Sequence, residues 1–97
     1  MGYKLEYSKQ VGKDAQLLER AGLDKKAQKL LKIIKDNPFE PPCEKLHREL
    51  KGCYSRRINA HHRIIYELLP NTENLKNADG APYAGIAHII RMWTHYE

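Results

Sequence analysis

Residues 53–66, CYSRRINAHHRIIY, constrain this chain more than any other stretch. Two β-prone runs flank the turn-forming pair Asn59-Ala60, so the spacing predicts a hairpin: a strand over 53–58, a tight turn, and a strand over 61–69. Alternate side chains of a strand point to opposite faces. Ile58, Ile64 and Tyr66 can then fill one face while the hairpin gathers guanidinium groups, from among Arg56, Arg57 and Arg63, on the other. Planar guanidinium forks suit phosphate oxygens. The same arginines would equally suit a solvated sheet face, and the hairpin alone does not separate the two.

Charge adds a direction. Residues 1–66 hold 15 Lys/Arg against 8 Asp/Glu, whereas residues 67–97 hold 2 against 4. A basic body favours a polyanion or an acidic partner protein, without choosing between them. At 97 residues, 41% hydrophobic and 30% charged, the chain is expected to form one globular domain over 1–97 with a small core. No apolar run is long enough for a membrane span. Residues 1–6, MGYKLE, carry neither a signal peptide nor a myristoylation pattern, so the expected location is cytoplasmic. Cys43 and Cys53 are too few for a disulfide framework, and their spacings to His47 and His61 match no usual zinc pattern. No metal or cofactor is expected.

Before the hairpin, YKLEY (3–7) alternates as a half-buried strand. Ser8 can cap a helix over 9–21, with Val11, Ala15 and Leu18 on one face and Gly22 placed to end it. Asp24 can cap a second helix over 25–36, whose stripe is Ala27, Leu30, Leu31 and Ile34. Its lysines 25, 26, 29, 32 and 35 fall on the remaining surface, and Asn37-Pro38 stops it. The short link makes an antiparallel helical hairpin. PFEPP (38–42) is an extended connector, and EKLHRELK (44–51) leads into the arginines. Beyond Leu69, residues 70–85 have the composition of a long, mobile loop, and 86–94 form a strand apolar on both faces, hence central. The order β-α-α-β-β-β gives an α+β domain: an N-terminal strand and a two-helix hairpin packed on one face of a mostly antiparallel four-stranded sheet, with the arginine face left open.

Taken together, PFE (38–40), Glu44-x-Leu46, Gly52-x-Tyr54-Ser55-Arg56-Arg57-Ile58, His62-Arg63-x-x-Tyr66 and a C-terminal His95-Tyr96 resemble the YoeB/Txe toxins of the RelE-like superfamily. The resemblance implies a microbial-ribonuclease-like fold. It also implies the toxin of a type II toxin–antitoxin module, a metal-independent mRNA endoribonuclease that acts on the 70S ribosome and inhibits translation. The implied partners are a YefM/Phd-type antitoxin, operator DNA only through the antitoxin complex, and a second toxin copy, since homodimers are common in the family. By position, Glu44 matches the general base, Arg63 the arginine that stabilises the phosphate, His95 the general acid and Tyr96 the terminal tyrosine that helps orient RNA. Arg57 matches a supporting basic residue. His47 stands close to where a lysine is often found, and with Arg56 and Arg57 it completes the expected RNA- and phosphate-binding set. Loop 70–85 is longer than usual for the family, and Glu97 follows the usual last tyrosine. The alternative is a non-catalytic basic module that binds RNA or antitoxin through the helix lysines.

Overall fold

The arginine hairpin lies toward one edge of a five-stranded sheet in a computed structural model of the protein, which describes residues 2–46 and 52–93. In chain order the elements are β1 (Tyr3–Tyr7), α1 (Lys9–Arg20), α2 (Asp24–Asp36), β2 (Glu44–Lys45), β3 (Cys53–Arg57), β4 (Arg63–Leu69) and β5 (Gly85–Arg91). The strands run β1-β5-β4-β3-β2 across the sheet. The β1–β5 pair is parallel and the other three are antiparallel. The expected α+β architecture is therefore present, with the two-residue β2 as a fifth strand.

Local chemistry explains the helices and two departures from their expected caps. Gly22, at φ 73°, lets the chain leave α1 in the left-handed region, and the Leu23 amide reaches back to the Leu18 carbonyl at 2.8 Å. Ser8 occupies the N-cap of α1 but does not cap it with its side chain. Its hydroxyl donates instead to the Ile90 carbonyl at 2.7 Å, tying α1 to the sheet. Asp24 is not the cap of α2 either: Leu23 takes that place, and Asp24 lies in the first turn, where its charge suits the helix dipole.

The sheet sorts its side chains by face. Tyr66, Ile64, Ala87 and Ile89 meet Val11, Leu18, Ala27 and Ile34 of the helices, and Ile58 joins them. The opposite face carries Glu44, Ser55, Arg57, Arg63, Ile65 and Glu67, as the β2–β3 and β3–β4 registers require. It is less open than expected, because Cys53, Ser55 and Ile65 are buried within it. Burial first, and then the charge of Glu67, push the Cys53 thiol above its ordinary value. On the helix side an apolar groove of about 530 Å³ is lined by Val11, Ala15, Leu18, Ala27, Leu31 and Met92.

Two connections differ from expectation. The hairpin turn is wider than Asn59-Ala60: the Ile58 amide bonds the His62 carbonyl, and the Asn59 carboxamide oxygen accepts from the amides of His61 and His62. An Asn that folds its side chain over its own turn closes a longer loop than a two-residue type I′ turn would. The segment between β4 and β5 is built rather than slack. Asn71 bonds Leu75 at both its amide and its carbonyl, and also the Tyr83 carbonyl; Asn77 accepts from Asp79 and Ala81. Side chains that replace ladder bonds make an asparagine-rich stretch look like coil in sequence.

Candidate active site

Glu44 and Arg63 are brought together from 19 positions apart. Glu44 opens β2, and its register partner on β3 is Ser55, which in turn pairs with Ile65 of β4. Arg63 lies two residues before Ile65 on the same face. Its Nη1 donates to Glu44 Oε2 at 3.1 Å. The carboxylate side chain is 58% exposed and the guanidinium 18%, so the pair meets solvent through the acid.

Arg57 is in direct register with Arg63, and it is exposed. Like charges directly opposite each other on a sheet face are unfavourable. An acidic group at the diagonal position offsets part of that repulsion, and a bound anion would offset the rest. The two guanidiniums and Glu44 thus form a strip in which a phosphate has two forks to bind and a carboxylate has access to solvent.

Arg56 is drawn away from this strip. It points to the helix side, is 2% exposed, and donates to the Glu40 carbonyl. The structure places it under the 38–42 connector, where it fixes the chain just before Glu44, rather than on the exposed strip beside Arg57. The next strut is Tyr66, whose hydroxyl donates to the Pro38 carbonyl at 2.6 Å and lies 3.4 Å from the Cys43 thiol. Burial first, and then the Cys43 contact, push the Tyr66 phenol far above its ordinary value, so it remains a donor. Phe39, Tyr54 and Tyr66 form an aromatic ladder with centroid spacings of 5.6 and 5.9 Å. His47, His95 and Tyr96 lie outside the described residues.

Asp14 and Trp93, which the sequence did not single out, sit at the same end of the sheet together with His62 of the family motif. Asp14 of α1 is 0% exposed and accepts from Arg91 Nε at 2.9 Å and from the amides of Met92 and Trp93 at 2.9 and 3.2 Å. Burial raises its pKa, but the bonds from Arg91, Met92, Gln10 and Trp93 together outweigh burial and hold it below the ordinary 3.8. His62 stacks on Trp93, with ring centroids 3.7 Å apart and planes at 21°. The signal was present at position 14: a carboxylate standing on the same helical stripe as Val11 and Leu18.

The Asp14 shift has a signed consequence. A carboxyl whose pKa is lowered by folding stabilises the fold fully above its unfolded value of 3.8, and that contribution is lost as pH falls through the lower folded value. Urea titrations from neutral to acid pH should therefore show a steeper acid limb for the wild type than for Asp14→Asn, which has no carboxyl to protonate. Equal limbs would show that Asp14 adds nothing to acid sensitivity.

Residues 7–86 match the family described as the YoeB-like toxin of bacterial type II toxin-antitoxin system. The chain belongs to the YoeB-like toxin family. The matched stretch contains Glu44, Arg57 and Arg63 and stops before His95. Among solved structures, the YoeB/ParE toxin from Agrobacterium tumefaciens is 25% identical over 96% of this chain and 99% of that one, with a TM-score of 0.73. The YoeB-YefM complex from Staphylococcus aureus gives a chain 27% identical over 97% and 98%, with a TM-score of 0.67. YafQ from E. coli, at 21% identity, 95% and 92% coverage and a TM-score of 0.68, shares the fold. No curated protein sequence matches. In this YoeB-like toxin an apolar groove lies on the helix side, whereas Glu44, Arg57 and Arg63 lie on the second face of the sheet.

Proposed function

We propose that this YoeB-like toxin is a ribosome-dependent mRNA endoribonuclease and that the Glu44–Arg63 pair is the core of its active site. The observation that carries the reading is the 3.1 Å contact between an exposed carboxylate and a guanidinium that shares its face with Arg57. RNA supplies its own nucleophile, the 2′-OH. Glu44 takes the 2′ proton as that oxygen attacks the adjacent phosphorus. The Arg63 fork, moved from the carboxylate onto the phosphate, holds the charge that builds on the phosphorane. His95 gives a proton to the departing 5′-oxygen, and Tyr96 orients the RNA. Arg57 binds the phosphate backbone beside them, with His47 as a further contact. The products are a 2′,3′-cyclic phosphate and a 5′-OH. This chemistry calls for no cofactor.

A YefM-type antitoxin is the proposed partner, supported by the solved complex of the Staphylococcus aureus relative and by the basic first two-thirds of this chain. A toxin homodimer is supported by the structure described as a YoeB dimer from the same organism. Operator DNA is reached only through the toxin–antitoxin complex, and the site of action is the cytoplasm.

Primer extension on mRNA translated in the presence of purified protein tests the reading. Wild type should give discrete cuts, and Glu44→Gln, isosteric but unable to accept the proton, should cut at least about a hundredfold more slowly. Identical cutting by wild type and His95→Ala would remove the imidazole from the scheme. An absence of cuts by wild type would leave the arginine strip as a binding surface.

A further inference from the structure

The connector between α2 and β2 delivers Glu44 to the sheet, and it forms neither helix nor strand. The amides of Phe39 and Glu40 bond Asn37, which settles only its first turn. The rest is held from beneath. Tyr66 donates to the Pro38 carbonyl, and Arg56 donates to the Glu40 carbonyl. These two side chains are diagonal neighbours on the helix-side face, since Tyr66 pairs with Tyr54 and Arg56 lies two residues further along β3.

Packing does not explain an arginine at position 56. Its side chain is buried, no carboxylate pairs with it among the described residues, and its Nε has no acceptor there. A guanidinium in that state gives up its hydration for little return, and an apolar side chain of similar length would bury more favourably. Nor does it face RNA, for it lies under the connector while Arg57 beside it is exposed. What a long donor does there, and an apolar chain cannot, is hold the Glu40 carbonyl. β3 thus serves Glu44 from both faces: Ser55 is its register partner, and Arg56, the next residue, holds the chain four residues before it. β2 has little else, being two residues long and closed by the Leu46 amide on the Cys53 carbonyl at 2.9 Å.

We propose that Arg56 is a positioning residue for RNA cleavage: through the Glu40 carbonyl it sets where β2 begins and so keeps the Glu44 carboxylate beside Arg63. This rests on the ribonuclease reading above. A misplacement of about 1 Å in a reacting group can lower a rate about a hundredfold, so a slack connector would be felt in turnover before it is felt in binding.

The test compares wild type, Arg56→Met and Arg56→Lys by thermal midpoint, by hydrogen exchange at the Leu46 amide, and by kinetics on ribosome-bound mRNA over a range of salt. The Ile58 amide, bonded to the His62 carbonyl, is the internal control for exchange. Arg56→Met should fold, exchange at Leu46 about tenfold faster with Ile58 unchanged, and lose about ten- to a hundredfold in kcat. KM and its salt dependence should stay as in the wild type. Arg56→Lys, which keeps a donor but not the planar fork, should fall between on both counts. Either variant folding with wild-type kcat would overturn the proposal, as would a lowered kcat with wild-type Leu46 exchange. A raised KM with a weaker salt dependence would overturn it too and return Arg56 to the RNA contacts. Failure of both variants to fold would make Arg56 a structural residue alone, which also overturns it. A wild type that cuts no mRNA would instead defeat the ribonuclease reading and this assignment with it, while Leu46 exchange would still tell whether Arg56 holds β2.

Discussion

Arg63→Ala is expected to slow mRNA cleavage by about a hundred- to a thousandfold while leaving the fold in place. The rate estimate follows from what one well-placed donor to a developing oxyanion contributes. The fold estimate follows from the partner: Glu44 is largely exposed, and an ion pair of that kind contributes about 0–1 kcal/mol. Stability and activity should therefore separate in this variant, which is unusual for a residue at the start of a central strand. Arg63→Lys refines the test. Lysine keeps the charge but loses the planar fork, so it should recover part of kcat and not all of it. Arg57→Ala, at the exposed residue directly opposite Arg63, should act mainly on KM and on its salt dependence, because a backbone contact binds ground state and transition state alike. Rates and melting midpoints from the same preparations decide the matter. An Arg63→Ala protein with wild-type turnover would remove Arg63 from the chemistry.

The contrast among the three hairpin arginines shows how far the sequence could be read. Period-two alternation sets Arg57 opposite Arg56, and Arg63 opposite Ile64 and Tyr66, and the registers agree. Alternation alone left open which arginines share the phosphate face, and Arg56, expected in the phosphate-binding set, lies on the Ile64 side. What it could not say is that a guanidinium there would be closed over by the 38–42 connector and satisfied in part by the Glu40 carbonyl. That contact joins residues 16 apart through a proline-rich segment with no periodicity to read. Asp14 escaped for a related reason. Helical spacing places it on the inner face, but two of its partners are backbone amides just past the end of β5, which leave no mark in a sequence, and a third is the Arg91 side chain, 77 positions away. Family position implied only that Glu44 and Arg63 serve one phosphodiester; their contact, and its route through Ser55 and Ile65, needed the strand registers. Strict alternation through 86–94 would place Met92 on the face of Ile86. Met92 instead joins the helix-side core, because regular pleating stops at Arg91.

Tyr66→Ala should be the most destabilising single change in the β4 strand, by about 3–5 kcal/mol. Set against the roughly 5–15 kcal/mol that holds a domain of this size folded, that is about three-tenths or more of the total in the less stable half of the range. The ring is fully buried, stacks on Tyr54 and fills the centre of the helix–sheet interface. No neighbour can reach into the space that an alanine would leave without moving an aromatic ladder or a helix. The phenol carries a separate, smaller share, which Tyr66→Phe isolates. That variant keeps the ring and removes the donor to the Pro38 carbonyl, costing about 1–3 kcal/mol for the acceptor left bare. Its effect on activity is the more informative number. Tyr66 touches the connector at Pro38 and again at Cys43, the residue before Glu44, so one hydroxyl sets where β2 begins. Tyr66→Phe should therefore lose more turnover than its stability loss explains, measured at a temperature where it is fully folded. If its kcat equals that of the wild type under those conditions, the aromatic ladder supports the core alone, and Glu44 owes its position to the Ser55 register and the Arg56 contact.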